Sequence, residues 1–203
     1  MAVRFVQACG AEDPTAVQEQ LLWGADVNSR ASYGVTGLIR AIGRNRIKIV
    51  HLLLSRHDID VNATDLEGMS PLHYAAWHDR VDILTTLLAD SRLNVNARTD
   101  DGSTPLLSAV DNNSADSVKL LLSDPRIDPN IKFEFPRCGC YRCRTERSSG
   151  PHQPGSTLTY GGSPLMWAVK RGIEECTRIL LTDPRVNIMT TDSFKRSSAQ
   201  VAR

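Results

Sequence analysis

Apolar residues along this chain fall into short clusters with helical spacing, and the clusters come in pairs. Leu38, Ala41 and Ile42 form one stripe, and Ile47, Val50, Leu53 and Leu54 form the next. The pattern returns at Leu72, Ala75 and Ala76, followed by Val81, Ile83, Leu84, Leu87 and Leu88. It returns again at Leu106 and Ala109, followed by Val118, Leu121 and Leu122, and once more at Leu165 and Ala168, followed by Ile179, Leu180 and Leu181. Positions three and four apart share one face of a helix, so each cluster predicts a short amphipathic helix. Near the start, Val3, Phe5, Val6 and Cys9 can form one such face, and Leu21 and Leu22 close a second helix. Asp13-Pro14 reads as the N-cap and first residue of that second helix.

The pairs recur at a fixed period. Gly68 to Ala76 reads G-M-S-P-L-H-Y-A-A; 34 residues earlier stands G-V-T-G-L-I-R-A-I, and 34 later G-S-T-P-L-L-S-A-V. A fourth copy, G-G-S-P-L-M-W-A-V, follows after 59 residues, and a damaged one, Ser197 to Ala202, 34 beyond that. A period of this size predicts stacked repeats, none of which can bury its apolar face alone. A glycine followed by S/T-P-L-H-x-A-A, then a Leu-Leu pair, then Val-Asn, resembles the ankyrin repeat. The resemblance covers nearly the whole chain except residues near 131–160.

The resemblance implies an all-α solenoid of stacked helix-turn-helix units with β-hairpin-like finger loops, forming one domain over residues 1–203. Its units fall at about 1–33, 34–67, 68–101, 102–130 and 161–194, with a terminal half-unit at 195–203 and a loop insertion at 131–160. It also implies that His73 hydrogen-bonds between repeats. Gly37 and Ile39 stand where the motif usually has proline and histidine, which predicts a softer first helix in that unit. Gly24, in the unit-ending G-A-D-V-N, suits a left-handed C-cap.

Where the other units have five residues between Asn and Gly, the stretch from Asn130 to Gly161 has 30. The extra segment is rich in Ser, Gly and Pro near 147–157 and carries an excess of three positive charges. It also holds Cys138, Cys140, Cys143 and His152, a donor set that suits a tetrahedral zinc ion. The spacing is irregular for a zinc site, and an ordinary basic loop with reduced thiols accounts for the same residues.

Composition narrows the function classes. With 24 Lys plus Arg against 23 Asp plus Glu, the near-neutral chain has no general attraction to nucleic acid or acidic membrane. No run of 18 apolar residues exists to cross a bilayer. The N-terminal M-A-V-R-F-V-Q-A-C-G lacks a long apolar core of a signal peptide. Five cysteines without an export signal point to an intracellular, reducing setting, cytoplasm or nucleus. No nucleophile elbow, phosphate-binding loop, dinucleotide fingerprint or zinc-protease motif is present. The reading is therefore a non-catalytic, monomeric interaction module for a protein or peptide, needing no cofactor. The alternative is a metalloprotein or enzyme built on the cysteine-rich insertion.

The repeat pattern also predicts a concave groove. Each first helix should leave the position after the histidine, and the two after the alanines, off the packed face. Along the chain these are Arg40, Gly43 and Arg44; Tyr74, Trp77 and His78; Ser108, Asp111 and Asn112; and Trp167, Lys170 and Arg171. Trp, Tyr and Arg are the side chains that dominate binding hot spots, which makes this row the expected partner site.

Overall fold

The computed structural model describes residues 2–135, 160–191 and 197. Its helices are α1 (Ala2–Ala8), α2 (Thr15–Leu22), α3 (Gly37–Gly43), α4 (Ile47–Leu54), α5 (Pro71–Trp77), α6 (Val81–Leu88), α7 (Pro105–Asp111), α8 (Ala115–Ser123), α9 (Pro164–Arg171) and α10 (Glu174–Thr182). None of them is long and apolar enough to cross a membrane.

The first helix of each unit starts and stops by the same chemistry. Thr36, Ser70, Thr104 and Ser163 cap α3, α5, α7 and α9, each side chain accepting the N–H of the residue three further on. Proline follows the cap in α5, α7 and α9, where its missing N–H costs nothing. At the other end a left-handed residue reverses the chain: Asn45, Asp79, Asn113 and Gly172, with φ of 58°, 52°, 56° and 66°. The turn leaves two backward bonds, as in Asp79 N–H to the Ala76 carbonyl and Arg80 N–H to the Ala75 carbonyl. Short polar side chains tolerate this conformation better than others do, so Asn and Asp serve where glycine usually would.

Stacking proceeds along two rows. In one, α1 packs on α3, α3 on α5, α5 on α7 and α7 on α9; in the other, α4 packs on α6, α6 on α8 and α8 on α10. One continuous apolar cluster runs from Phe5 to Leu180 between the rows. The first-row helices approach closely. Ala41, Ala75, Ala109 and Ala168 are fully buried, and a Cβ on Gly37 would lie 2.8 Å from the Cys9 sulfur. Gly37 thus answers a steric demand at the α1–α3 contact, a reason beyond the helix weakening expected of it.

The connecting loops are tied by polar ladders. Asn28, Asn62, Asn96 and Asn130 each donate a side-chain N–H to a carbonyl of the next unit, those of Asp58, Arg92, Arg126 and Arg185, at 2.7–2.8 Å. Each also accepts an N–H from the same loop, that of Asp60, Asn94, Asp128 or Asn187. The last rung spans the insertion, so the fifth helix pair continues the stack. Beside this ladder, Asp90–Arg92, Asp124–Arg126 and Asp183–Arg185 pair at 2.6–2.7 Å. Their guanidinium groups reach back to carbonyls that end the preceding unit's second helix: Leu54, Leu88 and Leu122.

The finger turns close between Ala31 and Val35, Asp65 and Met69, and Thr99 and Ser103. At the fourth finger, strand β1 (Phe133–Phe135) pairs antiparallel with β2 (Tyr160–Gly162), with Phe133 opposite Gly162. This ladder is the base of the insertion. Gly34, Gly68 and Gly102 share a left-handed turn with φ of 73–78°, whereas Gly161 lies within β2.

Three apolar positions depart from the expected core. Val3, Leu22 and Leu181 are 52, 84 and 56% exposed. Each lies two or five residues from a buried neighbour on its own helix (Phe5, Val17 and Cys176), which turns it to the far side. Helix α2 begins at Thr15, one residue later than expected, with the Asp13 carboxylate accepting the Thr15 N–H.

Candidate partner-binding surface

The residues of the expected row stand at the last turn or C-cap of successive first-row helices. Arg40 lies in α3 and Arg44 caps it; Tyr74 and Trp77 lie in α5 and His78 caps it; Asp111 ends α7 and Asn112 caps it; Lys170 lies near the end of α9. Because the units stack in register, the row runs across the array on one side. Arg44, His78, Asn112 and Lys170 are exposed, and Arg40, Tyr74, Trp77 and Asp111 half-buried.

Around α5 the row is aromatic and cationic. The Tyr74 hydroxyl donates to Asp65 at 2.8 Å, and the Tyr74 and His78 rings lie 6.2 Å apart at 35°. Burial raises the Tyr74 phenol well above its ordinary range, aided by the Asp65 hydrogen bond and the charge of Glu67, while the charge of Arg40 works the other way. Burial lowers the His78 imidazole, and the charge of Arg80 lowers it further, which favours the neutral ring. Arg80 stands just past the cap of α5 and escaped the sequence pattern, which follows helix positions and not the residues of the turn. Trp77 is outside the buried apolar cluster and outside the shell packed on it. Its carbonyl accepts from Asn112 and Ser114, tying α5 to the next unit through the backbone.

Trp167 corrects the expected row, because it is only 6% exposed. Its indole N–H donates to Asp111 at 2.8 Å, and Phe133 meets its ring edge-on at 5.6 Å. Lys170 and Arg171 lie over its ring at 5.5 Å, and Arg171 also pairs with Asp111 at 3.5 Å. The indole therefore joins α7, α9 and β1, and Asp111 is committed to the same joint. Ser108 is likewise buried. An open cleft of about 480 Å³ flanks this joint between the ends of α7 and α9, edged by Asn112, Asn113, Glu174 and Glu175. Trp23, the third tryptophan, lies off the row at the end of α2 and is 84% exposed.

His73 is fully buried and structural. Its Nδ1 accepts from the Ser70 N–H at 3.1 Å, and its Nε2 is 3.1 Å from the Ser103 carbonyl of the next unit. A carbonyl can only accept, so Nε2 carries the proton. Cys9 and Cys176 are buried, and desolvation raises their thiols to about 12 and about 11, which disfavours the nucleophilic thiolate. Among the described residues no group of His, Cys, Asp and Glu could hold a metal ion. Cys138, Cys140, Cys143 and His152 lie outside the described residues.

A family model described as ankyrin repeats, in three copies, matches residues 5–99, and one described as ankyrin repeat matches residues 101–133. No curated protein matches the chain.

Proposed function

The chain belongs to the ankyrin-repeat family, and on that premise we propose that it is a non-catalytic interaction module whose first-helix row and finger loops receive a protein or peptide. Ankyrin repeats in general mediate protein–protein interaction. The observation that carries the reading to a particular surface is the set Arg44, Tyr74, Trp77 and His78: large side chains at the ends of α3 and α5, two of them exposed and two half-buried. Aromatic groups held on rigid helices lose little conformational freedom on binding, and guanidinium groups add charged, planar hydrogen bonding, which together suit a hot spot.

The test is a photo-reactive amino acid placed at position 78 on the row, or at 119 on helix α8 of the other row. Illuminated in extract of the native cell, the protein labelled at 78 forms a discrete protein adduct and that labelled at 119 does not. Adducts from 119 alone would contradict the assignment.

A further inference from the structure

Most arginines among the described residues hold an acidic or carbonyl partner, as Arg92 holds Asp90, Arg126 Asp124, Arg185 Asp183 and Arg98 the Lys132 carbonyl. The guanidinium groups of Arg40, Arg44 and Arg80 hold no carboxylate and no carbonyl among the described residues, and the Nε atoms of Arg40 and Arg80 are buried without an acceptor.

Arg40, Arg44 and Arg80 converge. Arg40 and Arg44 are four apart at the end of α3, which packs directly on α5. Arg40 is close enough to Tyr74 to influence its ionisation, and Arg80 does the same to His78. The Tyr74 and His78 rings touch, so Arg40, Tyr74, His78 and Arg80 form a run of neighbours with Trp77 one residue before His78. Asp65 accepts the Tyr74 hydroxyl, the charge of Glu67 reaches the same phenol, and Asp79 accepts from Ser117; none of these, nor Asp82, pairs with an arginine of the set among the described residues. A patch with three guanidinium groups that hold no carboxylate among the described residues, set around aromatic rings, is complementary to carboxylates interleaved with apolar side chains.

We propose that the α3–α5 end of the row is a docking site for an acidic peptide segment, with carboxylates on Arg40, Arg44 and Arg80 and an apolar side chain against Trp77. This rests on the proposed interaction function and adds the chemical class of the partner. Guanidinium forks match carboxylates bidentately, and the Tyr74, Trp77 and His78 rings supply the aromatic part of the patch.

The experiment is selection of a randomised twelve-residue peptide library on the immobilised protein, with binding of the enriched peptides then measured by fluorescence anisotropy. Enriched sequences carry an excess of Asp and Glu beside an aromatic or aliphatic residue. Their affinity falls about tenfold in Arg44→Glu and in Arg40→Gln/Arg80→Gln, and falls with added salt, as expected for charge pairs at a partly exposed interface. Arg44 is exposed, so its variant keeps the fold if the half-buried pair does not. Enrichment of neutral or basic peptides would overturn the acidic assignment and leave the interaction function standing. Failure to enrich any peptide would overturn this inference, and the position-78 adduct would then judge the interaction function by itself. Binding of a twelve-residue oligothymidine as tight as that of the acidic peptides would overturn it too, by showing a general anion site.

Discussion

Single residues hold the units together at identifiable atoms. His73 bonds Ser70 on one side and Ser103 on the other, both in the interior. His73→Ala would strand the buried Ser70 N–H, at a cost of about 1–3 kcal/mol, and take one donor from the Ser103 carbonyl, which keeps the Thr99 N–H. The expected result is a urea midpoint lowered with its slope intact; an unchanged midpoint would show that water replaces the imidazole. Gly37→Ala is a steric test, since the added methyl would sit 2.8 Å from the Cys9 sulfur. Overpacking costs about 1–3 kcal/mol, more than the ~1 kcal/mol that alanine gains over glycine in a helix, so the variant should lose stability. Cys9→Ala in the same chain should recover part of the loss, and strictly additive effects would place the strain elsewhere. The sequence pattern located His73 and the row positions because the period transfers them from unit to unit. It could not tell that Trp167 would be buried where Tyr74, at the corresponding position, is only half-buried. Their difference comes from Phe133 and Asp111, brought around Trp167 by the strand pair at the base of the insertion.

Among the elements, the loop clamps make stability depend on pH. Asp90, Asp124 and Asp183 lie below their ordinary range, chiefly because each accepts hydrogen bonds from the guanidinium of Arg92, Arg126 or Arg185. A carboxylate with a depressed folded pKa adds stability above its unfolded value of about 4 and loses it as pH falls through the folded one. The unfolding midpoint should therefore be level from pH 5 to 7 as far as these groups are concerned and fall below about pH 4. Asp90→Asn with Asp124→Asn should lower the plateau and flatten the fall. A fall of the same depth in that variant would assign the acid sensitivity to other groups. The helix pairs and their caps were legible because Ser or Thr, proline and spaced leucines are local signals. The asparagine ladder and the Asp-x-Arg clamps were visible only as similar loop sequences. Their meaning depends on carbonyls 30 or more residues away, which the stacking brings within reach.

Across the whole molecule, each helix pair contacts only its neighbours, so stability adds up along the array and its ends open most easily. The joint at Trp167 decides how far cooperativity passes the insertion. Trp167→Ala should leave amide protection in α5 and α7 unchanged and reduce it in α9 and α10, and equal loss throughout would show a single indivisible unit. Trp77, half-buried at the end of α5, lies outside the core cluster, and on that placement the functional account stands. The decisive measurement is Trp77→Ala examined twice: affinity for the partner cross-linked from position 78, and urea unfolding. Truncating a hot spot costs about 2 kcal/mol, so affinity should drop roughly thirtyfold while the unfolding midpoint stays at the wild-type value. Undiminished affinity, or affinity lost only in step with stability, would contradict the assignment of the binding surface to this row.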